Sequence, residues 1–131
     1  MRVSLDTSAY SALRRSHAPI VDVLERATEV QISVIALGEL HAGFDGGKRR
    51  EQNRLDLAKF LAKPAVKVRG LDIGTAELYG EFRLYLRRIG VPLPINDIWT
   101  AARAAQNGLS VVTLDRHFAR MPQIDTLLFD P

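Results

Sequence analysis

The sequence predicts an α/β fold: a mainly parallel central sheet with helices on both faces, in a single domain. Three observations carry that expectation. Short apolar, β-branched runs alternate with segments of helical spacing, the pattern of parallel strands joined by helical crossovers. The chain has 131 residues, which suits one domain with a single core. No internal repeat, low-complexity tract or interdomain linker interrupts it.

Residues Arg2 to Leu5 are the first strand, because Val3 and Leu5 alternate with polar neighbours. Asp6 follows at once, and Thr7-Ser8 open a short helical stretch to about Arg15. Taken alone, Asp6 reads as a turn residue or as the N-cap of that helix. His17-Ala18-Pro19 breaks the chain. Pro19 suits the first turn of a helix to about Ala27, with Ile20, Val23 and Leu24 on one face. Glu29 to Ser33, through Val30 and Ile32, is the second strand. Ser33 can cap the next helix, whose apolar stripe is Leu37, Leu40 and Phe44. Glu39 lies between stripe positions. An acid near a buried face is costly unless paired or metal-bound, so alone Glu39 reads as a surface residue.

Asp45-Gly46-Gly47 is a turn, and the basic cluster Lys48-Arg49-Arg50 follows it. A helix from about Glu51 to Ala62 should turn Leu55, Ala58 and Leu61 inward. Pro64 ends it, and Val66-Lys67-Val68 is the third strand. Asp72 caps a long helix to about Ile89, with Ile73, Ala76, Tyr79, Leu86 and Ile89 near one face. Arg83, Arg87 and Arg88 lie in its C-terminal half, where cations complement the helix dipole. Tyr79, Phe82 and Tyr85 read as core or dimer packing. Gly90 terminates this helix, and Pro92 and Pro94 stiffen the loop beyond it. Asn96 is a good N-cap for a helix in which Ile98, Ala101, Ala102 and Ala105 follow helical spacing, and Gly108 suits its C-terminus. Leu109 to Leu114 is apolar and β-branched enough for an interior strand, with Asp115 just beyond. Thr126 to Phe129 is a last strand, expected at an edge.

Composition narrows the function. Hydrophobic residues are 47% and charged residues 25%, as in an ordinary globular protein. No apolar run approaches a membrane span, and no charged-then-apolar leader is present, so a soluble cytoplasmic protein is expected. Cysteine is absent, which excludes disulfides and thiolate metal sites. His17, His41 and His117 are too scattered to suggest a zinc motif. A net charge of +3 and a pI near 9.6 permit a polyanionic partner without requiring one. No Gly-rich phosphate loop follows the first strand, which argues against a nucleotide-binding domain.

The acids carry the chemistry. In a parallel α/β sheet, strand C-termini and helix N-termini share one edge. Asp97 at a helix start and Asp115 past a strand end should therefore face one crevice. Asp6 and Glu39 occupy places that the same edge can bring together. Hard divalent cations such as Mg²⁺ or Mn²⁺ bind carboxylate oxygens and keep several waters. A cluster of acids with no His or Cys companions points to such a cation and to phosphodiester hydrolysis. Thr113 can position the acids or a water by hydrogen bonding. Arg49, Arg50, Arg83 and Arg87 are the candidates for contact with nucleic-acid phosphate.

Four segments in order give the chain a family likeness: Leu5-Asp6-Thr7-Ser8, Ser33 to Leu40, Asn96 to Ala102, and Val111 to Phe118. Together they resemble the PIN-domain ribonucleases, most of all the VapC-type toxin branch of bacterial toxin–antitoxin pairs. The resemblance covers nearly the whole chain and makes residues 1–131 one PIN-like nuclease domain. It implies Asp6, Glu39, Asp97 and Asp115 as the metal site, Mg²⁺ or Mn²⁺ as cofactor, and RNA as substrate. It also implies a homodimer and a small antitoxin partner. An Arg of that partner should enter the acid crevice, beside an apolar groove near Leu37, Leu40 and Phe44. Some relatives carry a further acid shortly after the equivalent of Asp115. This sequence has His117 there, a residue for phosphate contact or for packing. A reading of another class is a non-catalytic PIN-like scaffold that works with a DNA-binding partner in transcriptional control or trafficking. Four mutually repelling carboxylates favour the enzyme.

Overall fold

The strands are short, four or five residues each, and all run the same way. They are β1 (Arg2–Leu5), β2 (Glu29–Ser33), β3 (Val66–Arg69), β4 (Ser110–Thr113) and β5 (Asp125–Leu128). A computed structural model describes residues Met1–Pro131 and pairs these strands in the order β3-β2-β1-β4-β5. Every pairing is parallel, with Val3 opposite Val30 on one side and Ser110 on the other. Helices fill the crossovers. α1 (Thr7–Arg14) and α2 (Ala18–Arg26) join β1 to β2, and α3 (Val34–Asp45) and α4 (Arg50–Leu61) join β2 to β3. α5 (Ile73–Arg88) and α6 (Ile95–Gln106) join β3 to β4, and a 3₁₀ turn (Arg116–Arg120) leads towards β5.

Alternation along the strands divides the interior into two apolar layers, where composition led us to expect a single core. Val112 packs with Val3, Leu5, Tyr10, Ile20 and Ile32 under α1 to α4. Its neighbour Val111 packs with Phe82, Leu86, Ile98 and Ala101 under α5 and α6. The side chains of consecutive strand residues point to opposite faces, so one four-residue strand serves both layers.

Three helix expectations need correction. Along α4 the buried residues are Leu57 and Phe60, while Leu55 is 51% exposed and Ala58 is exposed. The Phe60 and Tyr10 rings pack edge-to-face with centroids 5.4 Å apart, and that contact holds the Phe60 face of α4 inward. Along α5, Ile73 and Ile89 are exposed because they are the first residue and the C-cap, and Ala76 is exposed as well; the packed face is Thr75, Phe82 and Leu86. α6 starts one residue before Asn96, with Pro94 in the capping position. Pro94 has no N–H to bond, and its φ of −56° leads directly into the helix. The side chain of Asn96 is thereby freed from capping.

The turn residues behave as their chemistry requires. Gly90 and Gly108 take positive φ, +70° and +64°, just past the ends of α5 and α6. No helix is long and apolar enough to cross a membrane.

Candidate active site

β1 lies between β2 and β4, so the chain leaves it in one direction and returns on its other side much later. A crevice opens at such a reversal, outside the C-terminal ends of the strands. Asp6 is the first residue past β1. Its extended backbone (φ −87°, ψ 173°) makes it the N-cap of α1, and its carboxylate accepts the Ala9 N–H at 2.9 Å. The same carboxylate accepts the Ser8 hydroxyl at 2.8 Å and the Thr113 hydroxyl at 2.7 Å. Asp6 is only 5% exposed. Burial pushes its carboxyl above the usual range, the three hydrogen bonds pull it down, and the charge of Asp115 pushes it up again.

Thr113, the last residue of β4, is fully buried. Its hydroxyl donates to Asp6 and accepts the Asp115 N–H at 2.8 Å. The Ser8 hydroxyl in turn accepts the Leu114 N–H at 3.0 Å. Ser8 and Thr113 thus stitch the ends of β1 and β4 together and fix Asp6 relative to Asp115.

Glu39 projects from the second turn of α3. It accepts from the Thr7 hydroxyl at 3.3 Å and from the Asn96 amide at 3.5 Å, so it touches the first turns of both α1 and α6. Asp97 sits one residue further along α6, with its side chain 15% exposed. Its carboxyl is pushed up to about 6 by burial first, helped by the charges of Asp115 and Glu39 and opposed by His117. Asp115 caps the 3₁₀ turn and accepts the His117 N–H at 2.9 Å. The His117 ring nitrogen Nδ1 lies 2.9 Å from Asp97 Oδ2 and 3.0 Å from Asp115 Oδ1. One oxygen each from Asp97 and Asp115, together with a His117 nitrogen, lie within 4.8 Å of one another. No Lys or Arg pairs with any of the four acids; His117 is the base among them. This donor set, oxygen-rich with one imidazole, fits a divalent cation.

The basic candidates lie elsewhere. Arg50 pairs with Asp45 at 2.7 Å, and Arg49 lines a small cleft with Tyr10, Arg14 and Phe44. Arg83 donates to the Tyr79 hydroxyl at 2.9 Å, while the Tyr79 ring stacks on Trp99 at 4.1 Å. Arg83 and Arg87 line a cleft of about 360 Å³ with Leu86, Leu93, Ile95 and Ile98, beside the first turn of α6.

Sequence reasoning did not assign Ser8, Asn96 or His117 to this site. Ser8 had a local signal, since a hydroxyl two residues past an N-cap Asp can share its carboxylate. Asn96 was assigned to a cap that Pro94 holds. The sequence leaves His117 to phosphate contact or packing and expects acids without a His companion; the structure sets its ring against Asp97 and Asp115. Nothing local shows a contact across the 20 residues that separate it from Asp97.

The chain matches the PIN domain family over residues 3–124. It is similar to Ribonuclease VapC2 of Rickettsia felis, 30% identical over 105 residues that span 79% of this chain and 77% of the other. It is also similar to Ribonuclease VapC4 of Mycobacterium tuberculosis, 29% identical over 96 residues, 73% and 74% of the two chains. Among solved structures, a chain of VapBC2 from Rickettsia felis bound to a promoter DNA fragment superposes with a TM-score of 0.88 at 26% identity, covering 99% of this chain and 100% of that one. A chain of DNA-bound VapBC from Salmonella typhimurium gives 0.85 at 28% identity, covering 97% of each.

Proposed function

From the premise that this chain belongs to the PIN-domain family, we propose that it is a metal-dependent endoribonuclease, the toxin of a toxin–antitoxin pair. The observation that carries the reading is the convergence of Asp6, Glu39, Asp97 and Asp115 on one crevice with no Lys or Arg to neutralise them. The relatives named as ribonucleases support RNA as the substrate. The VapBC complexes support a small antitoxin as partner, and a homodimer is part of the same reading. We place the nuclease domain over the whole of residues 1–131.

Asp97 and Asp115 would hold a Mg²⁺ or Mn²⁺ ion, with Glu39 and Asp6 completing the acidic wall. A divalent cation held by these residues would supply Lewis-acid chemistry, neutralising phosphate charge and activating a water as nucleophile. Thr113 and Ser8 hold Asp6 and the backbone at Asp115 in register, so the acids are oriented before substrate arrives. Burial of Asp6 and Asp97 keeps bulk water from screening them, which strengthens their attraction for a cation. In this reading Arg83 and Arg87, which line the cleft beside the first turn of α6, would meet phosphates flanking the scissile bond, and Arg49 and Arg50 a more distant stretch of RNA. The acid crevice also suits an Arg from the antitoxin, whose planar fork pairs with carboxylates.

Purified protein is incubated with total RNA in Mg²⁺, Mn²⁺ or EDTA, and the cut ends are mapped. We expect cleavage with either metal, none in EDTA, and products with 5′-phosphate and 3′-hydroxyl ends, since attack by water needs no 2′-hydroxyl. Full activity in EDTA, or 2′,3′-cyclic phosphate ends, would overturn the reading.

A further inference from the structure

We propose that His117 is itself a ligand of the cation, and that its nitrogen biases the site toward first-row transition ions such as Mn²⁺ and Co²⁺ over Mg²⁺. The inference rests on the metal-site reading above and goes beyond its all-carboxylate ligand set.

The geometry points this way first. Two ligands at right angles around a divalent ion, each with a bond of ~2.1 Å, lie ~3.0 Å apart. His117 Nδ1 stands 2.9 Å from Asp97 Oδ2 and 3.0 Å from Asp115 Oδ1. Those separations suit two donors that neighbour the nitrogen around one ion, and all three donors lie within 4.8 Å of one another. A tetrahedral centre with similar bonds would separate its ligands by ~3.4 Å, which fits less well.

Local chemistry holds the ring there. Asp115 caps the 3₁₀ turn and takes the His117 N–H, so the side chains two residues apart emerge on the same side. The imidazole is 47% exposed, so it is not a core residue that happens to lie near two acids. Affinity for nitrogen rises along the first row from Mn²⁺ to Co²⁺; Mn²⁺ still favours oxygen but accepts an imidazole more readily than Mg²⁺, which prefers oxygen and releases its waters reluctantly. Replacing one oxygen corner with nitrogen therefore costs Mg²⁺ more than it costs Mn²⁺ or Co²⁺.

The same spacing would arise from hydrogen bonds alone, and the test separates the two. Mn²⁺ binding to the purified chain is followed by electron paramagnetic resonance, with Mg²⁺ and Co²⁺ as competitors, and pulsed measurements read nitrogen coupling to bound Mn²⁺. Wild type should show ¹⁴N coupling and bind Mn²⁺ more tightly than Mg²⁺. His117→Ala should lose the coupling. Even partners that only orient a ligand are worth about tenfold or more in metal affinity, so His117→Ala should weaken Mn²⁺ at least about tenfold. Mg²⁺ affinity should move much less, and His117→Asp should raise Mg²⁺ affinity above that of wild type and narrow the preference for Mn²⁺ without restoring nitrogen coupling. Circular dichroism checks each fold, and His117→Gln replaces His117→Ala if the latter does not fold. Bound Mn²⁺ without nitrogen coupling in wild type, or equal loss of both ions in the variants, would overturn the proposal and leave the carboxylate site standing. Unchanged Mn²⁺ binding in Asp97→Asn would instead reject the metal site itself, and this inference with it.

Discussion

Asp97 answers to two opposed demands. Its place in the first turn of α6 favours negative charge by about 0.3–1 kcal/mol, because the helix N-terminus is electropositive. Burial and the neighbouring charges of Asp115 and Glu39 oppose that charge and hold the carboxyl near 6, against 3.8 for a free side chain. The folded chain therefore keeps the proton where the unfolded chain has released it. Lowering the pH through 6 towards 4 should stabilise the metal-free fold at this group, and raising it through 6 should remove that gain. Asp97→Asn has no charge to lose. Its urea unfolding in EDTA should depend less on pH between 4 and 7 than that of wild type. At pH 7 it should be as stable, or more stable by about 1 kcal/mol, while RNA cleavage is abolished. A variant that unfolds far more easily at pH 7 would make Asp97 a structural cap. Asp6, by contrast, was legible from sequence as the cap of α1, since capping is local, and its place past a strand end follows from position along the chain.

At the scale of the element, α4 separates what pattern shows from what packing decides. Leu55, Leu57 and Leu61 share a short helix, and periodicity alone does not choose among the faces they define. The choice comes from Tyr10 on α1, against which Phe60 packs, and this is a tertiary contact that no local spacing encodes. Leu57 is 1% exposed and Leu55 is 51% exposed. Leu57→Ala should cost about 2–5 kcal/mol of stability, whereas Leu55→Ala should stay within ~0.5 kcal/mol. Chemical denaturation of the two variants reads this directly, and equal losses would mean that α4 is turned differently. The capping positions were easier to foresee: Ser33 accepts the Ala36 N–H, and Asp72 forms a reciprocal box with Thr75. α6 starts two residues earlier than expected because Pro94 takes the capping position assigned to Asn96, and the Asn96 amide then turns to Glu39.

At the scale of the whole molecule, the alternation of strands with helices was enough to foresee a parallel sheet, while the order β3-β2-β1-β4-β5 belongs to no single segment. The acids lie in the crevice and the basic side chains lie apart from it, which suits a polyanion that spans both. If Arg49 and Arg87 each meet a phosphate, each Arg→Ala change should weaken RNA binding. The slope of log affinity against log salt should fall by about 0.7 per lost contact on a single strand. Filter binding over a salt series, using a catalytically dead variant, measures it, and an unchanged slope would remove that arginine from the interface. The adjacency of β1 and β4 has a further consequence, one of timing. Thr113 holds Asp6 although 107 residues separate them in sequence. On a ribosome, Asp6 is made well before the strand that holds it, which follows 107 positions later. Such long-range pairing is slow to form and cannot precede synthesis of its second half. A chain in which β4 has not yet been made therefore has no assembled crevice, and whatever chemistry these acids perform waits until β1 and β4 have paired.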